Sequence, residues 1–354
     1  MISLFIFQND RHSFPPGHHG SLSSHGMTIS RHLSPEHGFL MFNKMTRRGD
    51  GSLEYDLYNR FPVGAFAAIK LVTLPFDKDL SMQISVARML MLAFFIGAAI
   101  FAFLSGFRLT GNRWVAVAAT LLAFSSHNCL YYSDMIFNDI PALFGLLLTF
   151  HGLVVFLQEN RFGQLLVKTG AALFLGWQVY ALLLPVTLFG CIRELYVTRS
   201  LRSVVKNKYF ILGLFALLCG AAILTVNLAK EYRVLNAPLE KLPSFTSVLW
   251  RFGLAPPESY GPYTQQLAWP DFIGQQLHRM GRMCLPHILV RRGVVPLHGI
   301  MLGGLVLVAA LAAAFVSRQK IPIASLALAG LVWAFPMKHF VVFHDFQSLF
   351  FIGV

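Results

Sequence analysis

The chain has 354 residues, of which 55% are hydrophobic and only 13% charged, with a mean hydropathy of +0.59. A soluble enzyme carries roughly 25% charged residues, so this composition excludes one. Lys and Arg outnumber Asp and Glu by 29 to 16, giving a formal charge of +13. Such an excess signals nucleic acid in a soluble protein and orientation in a membrane protein, and its distribution along the chain decides between them.

Residues 1–7 form an apolar heptamer that is too short to cross a bilayer and lacks the basic start and cleavage site of a signal peptide. It reads as a truncated first transmembrane helix. Residues 8–81 form a long loop with eight bases and seven acids, rich in Phe, Tyr and Pro rather than composed like a disordered tail. Within it, 20–33 is helix-like. The stretch 61–76 is bracketed by Pro62 and Pro75 and contains Lys70, which suits an interfacial helix lying on the membrane surface.

A helix needs about 20 apolar residues to cross the hydrocarbon core. The windows 82–107, 114–132, 140–157, 209–229, 294–316 and 321–337 meet that length. The stretch 165–191 is too long for one span and is interrupted by Trp177, Gln178 and Tyr180, with Pro185 beyond; it reads as a tight hairpin of two short helices. Residues 230–293 form a second long loop with eight bases and four acids, and 346–354 begin a last helix that stops short. The expected architecture is therefore an all-α polytopic integral membrane protein of about eight transmembrane helices. Its core is 82–229, its closing region is 294–354, and its first and last helices are cut short, so that the chain is expected to be a fragment.

With the hairpin in place, one side collects Arg108, Arg113, Arg161, Lys168, Arg193, Arg199, Arg202, Lys206, Lys208, Arg318 and Lys320. These eleven bases face two acids, Glu159 and Glu194. By the positive-inside rule this side is cytoplasmic, and both long loops and the turn 133–139 lie opposite. The positive charge is then a topological signal, and nucleic acid drops out as a partner. Cys129, Cys191, Cys219 and Cys284 show no CxxC spacing and read as small buried hydrophobes.

Ionisable groups at or near membrane depth are candidates for function because burying them is costly. On the loop side these are Asp10, directly after the first apolar stretch; Asp134 and Asp139 in the turn 133–139; Arg88, inside the helix that starts near Met82; and Lys338, His339, His344 and Asp345 before the last apolar run. Simpler roles exist for some of them. Asp139 suits helix capping, and Arg88 suits snorkelling toward lipid phosphates. His12, His18, His19, His25, His32 and His37 match no known metal-ligand spacing.

Several local words carry a family resemblance. An acid follows the first helix, and Arg60-Phe61-Pro62-Val63 leads into an apolar surface helix. Asn138-Asp139-Ile140-Pro141 opens a span, and Leu175-Gly176-Trp177-Gln178-Val179-Tyr180 sits at a helix break. This order, over residues 10–193, resembles the glycosyltransferase-C superfamily, in particular the bacterial membrane sugar transferases that include the aminoarabinose transferases and, more distantly, the protein O-mannosyltransferases. The chain departs from that pattern at the break, where a Gly-Leu-Thr-Lys-like turn lacks its lysine.

The resemblance implies inverting transfer of a sugar from a polyprenyl-phosphate donor to a lipid, glycan or protein acceptor, at the outer face of a membrane such as the bacterial inner membrane. It makes Asp10 the candidate base and Asp139 a second catalytic carboxylate. Arg60, Lys70, Arg88 and Lys338 are candidate phosphate ligands. Asp134, His344 and Asp345 are candidates to hold a divalent metal or to orient Asp10. A polytopic transporter, or an inactive scaffold related to such transferases, are the competing readings.

Overall fold

The computed structural model describes residues 18–35, 39–47, 53–59, 61–125, 127–251, 269–284 and 320–334, with isolated positions around 254 and 301–312. The described chain is mostly helical. In order it contains α1 (His18–His32), β1 (Phe42–Arg47), β2 (Leu53–Leu57), α2 (Gly64–Thr73), α3 (Leu80–Thr110), α4 (Arg113–Phe124), α5 (His127–Tyr132), α6 (Asp139–Glu159) and α7 (Phe162–Leu175). There follow α8 (Tyr180–Thr198), α9 (Leu201–Lys206), α10 (Lys208–Leu235), α11 (Pro243–Arg251), α12 (Trp269–Cys284) and α13 (Lys320–Ala334). Among the described residues, four segments are long and apolar enough to cross a membrane: Leu80–Thr110, Asp139–Glu159, Trp177–Thr198 and Lys208–Leu235.

Local chemistry sets the ends of these helices. Asp79 caps α3 by accepting from the Met82 amide at 3.0 Å, and Gly111 ends it with φ +68°. Asn112 then caps α4 through the amides of Trp114 (2.9 Å) and Val115 (3.3 Å). The expected span 114–132 is interrupted: α4 stops at Phe124, after about 18 Å at ~1.5 Å per residue. The polar run Ser125-Ser126-His127-Asn128 favours turns over a continuous helix.

The stretch 165–191, expected as a tight hairpin of two short helices, breaks at a 3-10 segment, Trp177–Val179, but its two arms scarcely touch each other. Its second arm runs on to Thr198, well past Cys191. The surface helix expected at 61–76 is α2 followed by a 3-10 turn, Leu74–Phe76. The all-α expectation missed one hairpin. β1 and β2 pair antiparallel, with Met45 opposite Tyr55. The Gly49-Asp50-Gly51 sequence between alternating segments is the signal that could have found it. Windows 294–316 and 346–354 and the Met1 end lie largely or wholly outside the described residues, as do 255–268 and 285–293 of the second long loop.

The core centres on α6. In its most apolar window 83% is buried inside the protein, against 28% for α3 and 22% for α10. It packs between α3 and α7, and small residues permit the approach: a side chain on Gly145 would start 3.1 Å from Ala172 of α7. The other long helices leave apolar faces outward, as a lipid-facing ring would.

Candidate functional site

Arg88 and Arg108 both lie on α3, about 30 Å apart at ~1.5 Å per residue, which is the thickness of a bilayer core. Each meets an acid from the α6 region, and the two pairs mark the two ends of the bundle. At the basic end Arg108 donates to Glu159 at 2.6 Å, and Arg161 pairs with the other oxygen of Glu159 at 2.8 Å.

At the opposite end, which carries the loops, Arg88 is 5% exposed. Its Nε donates to Oδ2 of Asp134 at 2.8 Å, and its Nη2 donates to the same oxygen. Arg88 therefore does not snorkel: it turns into the protein and is neutralised by a buried carboxylate. Asp139 stands at the other end of the same turn, 1% exposed, and its Oδ1 accepts from Nε2 of Gln178 at 3.0 Å. The capping role is not its own, because Asp139 is the first residue inside α6 and Asn138 holds the cap position. Gln178 reaches Asp139 because α7 returns to the start of α6 and breaks there. Gly176 permits that contact, since a Cβ would lie 2.4 Å from the Cβ of Ala142.

The first loop covers this turn. Ser23 on α1 accepts from the Ile136 amide at 3.1 Å, and a Cβ on Gly26 would fall 1.9 Å from the Ile136 carbonyl oxygen, so only glycine fits. Phe137 is the hub of an aromatic cluster. Phe61 and Phe66 meet it edge-on at 5.6 and 5.7 Å, and His25 lies between it (5.9 Å) and Tyr58 (4.2 Å). His32 stacks on Phe42 at 5.0 Å. Lys70 donates to the Arg31 carbonyl at 3.1 Å, answering the negative end of α1.

A second polar junction ties the loops to α10. Asn227 donates to the carbonyls of Asn59 (3.2 Å) and Phe61 (3.3 Å), while Asn59 donates back to the Asn227 carbonyl at 3.2 Å. Glu231, fully buried, accepts from the Ser244 amide at 2.9 Å and from its hydroxyl at 2.6 Å, so it satisfies the first turn of α11.

Of the residues singled out from sequence, Arg88, Asp134 and Asp139 come together around one turn, and Lys70 sits on the adjoining α2. Asp10, Arg60, Lys338, His339, His344 and Asp345 lie outside the described residues. Among the described residues no three His, Cys, Asp or Glu side chains converge on a metal position, and Asp134 is occupied by Arg88.

Sequence reasoning missed Gln178 as a partner of Asp139, although a lone amide in an apolar stretch is itself the signal. It also missed Asn227, a lone amide inside the expected window 209–229, and Glu231, which lies on α10 past the expected end at residue 229. The site is thus a buried cation, two carboxylates and carboxamides at one end of a helical bundle, roofed by a loop helix. No protein-family model, curated protein or solved structure matches the chain.

Proposed function

We propose that this chain is a membrane glycosyltransferase that moves a sugar from a polyprenyl-phosphate donor to a lipid, glycan or protein acceptor. It would work at the loop end of a bundle of about eight spans, with that end on the non-cytoplasmic side. The observation that carries the reading is the turn 133–139, which holds Arg88–Asp134 at one end and Asp139–Gln178 at the other, all buried, with α1 packed over the middle of the turn at Ile136 and Phe137. Charge at such a position is expensive and is kept where it serves a reaction.

The chemistry needs a carboxylate that takes the proton of an acceptor hydroxyl as its oxygen attacks the anomeric carbon. Asp10 is the candidate base, with Asp139 as the second carboxylate. As that bond forms, the anomeric C–O bond to the lipid phosphate breaks, and the phosphate leaves with its charge stabilised by cations. Arg88, Arg60, Lys70 and Lys338 are the candidates, Arg88 by exchanging part of its bond to Asp134 for the phosphate.

The test is transfer of label from an isoprenyl-phosphate sugar by the purified chain in detergent. Asp139→Asn and Arg88→Gln should each lower kcat by about a hundredfold or more. Unchanged turnover in both would remove these residues from the mechanism. Sidedness is tested separately by cysteine labelling at Ser200 and Lys241, which should react from opposite sides of the membrane.

A transporter is the second reading, favoured by the helix break at Trp177–Val179 beside the buried Asp139. It predicts solute uptake into vesicles that contain no lipid-linked donor.

A further inference from the structure

Two carboxamides next to Asp139 have hydrogen-bonding groups with nothing to bond. Asn138 is completely buried, and among the described residues neither its Nδ2 nor its Oδ1 has a partner; Gln178 is 1% exposed, and its Oε1 has none among them either. Buried amides are almost always satisfied, because an open group loses its bonds to water and gains none in return. The usual local role fails for Asn138: it occupies the cap position of α6, yet its side chain accepts no hydrogen bond from the first turn. Gln178 spends its one used N–H on Asp139. What is left open is one donor group and two acceptor oxygens, flanking a carboxylate.

That inventory selects a ligand chemistry. A phosphate offers only acceptors and negative charge, so it would leave both amide oxygens empty and be repelled by Asp139. A hydroxyl-bearing ring both donates and accepts, and can answer all three groups at once. Within the same turn the division of labour is then spatial: cation at Asp134's end, carboxamides at Asp139's end.

We infer that Asn138 and Gln178, with Asp139, form the recognition site for a hydroxyl-rich glycosyl headgroup, separate from the phosphate-binding side at Arg88. The inference rests on the transferase reading and assigns the sugar-binding half of that site.

The test uses the full chain in detergent and two probes, geranyl phosphate and geranyl phosphoryl-hexose, with affinity read from ligand-induced thermal stabilisation. The wild type should bind the hexose-bearing probe about tenfold or more tighter than the bare phosphate. The near-isosteric variants Asn138→Leu and Gln178→Met should bring the two probes to within about twofold of each other while keeping affinity for geranyl phosphate. If the wild type binds both probes equally, or if both variants keep the full preference for the hexose, the assignment is overturned. Should one variant fail to fold, the other decides alone, and Asn138→Ser replaces Asn138→Leu. Failure of the parent reading looks different: the wild type would then bind neither probe.

Discussion

At the loop end Arg88 and Asp134 leave 6% and 10% of their side chains exposed, whereas at the basic end Arg108 and Glu159 leave 35% and 31%. Both are Arg–carboxylate pairs joining α3 to the α6 region, one at each end of the bundle. The basic-end pair is one member of an open array in which Arg161 shares Glu159, while Lys208 donates to Asn160 and lies over the rings of Phe156 and Phe162. The loop-end pair is closed off from solvent, with Arg88 on α3 bonded to Asp134 in the turn before α6. An exposed array serves orientation and surface attachment and tolerates loss of a member. An enclosed pair couples the fold to whatever chemistry its charges perform, because neither charge has water to fall back on.

Substitutions that separate the two ends test this contrast. The largest effect is expected from Asp134→Ala, which strands the Arg88 charge inside the protein and should cost about 3–5 kcal/mol in detergent unfolding. A cost near zero would mean that the pair opens to water and that the ends are alike. Glu231→Ala comes next: it leaves the first turn of α11 unanswered at the loop junction and should cost about 2 kcal/mol, with Glu231→Gln recovering part of it.

Gly176→Ala should cost about 1–3 kcal/mol by pushing the helix break off Ala142. It should also weaken the Gln178–Asp139 bond, so turnover should fall further than stability alone explains. The smallest effect is expected at the basic end, where Glu159→Ala should leave the unfolding midpoint unchanged. A clear drop there would show that the exposed array is structural after all.

Much of the fold was legible in the sequence. Membrane helices are recognisable from length and apolarity alone, and α3, α6 and α10 lie within a few residues of the expected windows. Caps such as Asp79 and Asn112 act on their immediate neighbours, so local sequence suffices for them. The broken helix after Phe124 and the β1–β2 hairpin were less visible. Both hinge on short polar or glycine-containing runs whose effect competes with the apolar pattern around them.

The site was legible only in its members. Arg88, Asp134 and Asp139 stood out as charges near membrane depth, but their partners did not. Arg88 and Asp134 are 46 residues apart, and Asn59 and Asn227 are 168 apart. No local pattern records which helix faces meet.

The sequence by itself determined that this is a chain with membrane-length helices, and it pointed to an excess of positive charge in the short connections at one end of them, because crossing a bilayer and closing a helix depend on nearby residues alone. The tertiary structure decided that α6, no more apolar to the eye than α10, is the enclosed centre. It likewise decided that Arg88 is spent on Asp134 and that Gln178 reaches Asp139. Those outcomes follow from how small residues such as Gly145, Gly176 and Gly26 let particular backbones approach, and burial then fixes which charges must pair.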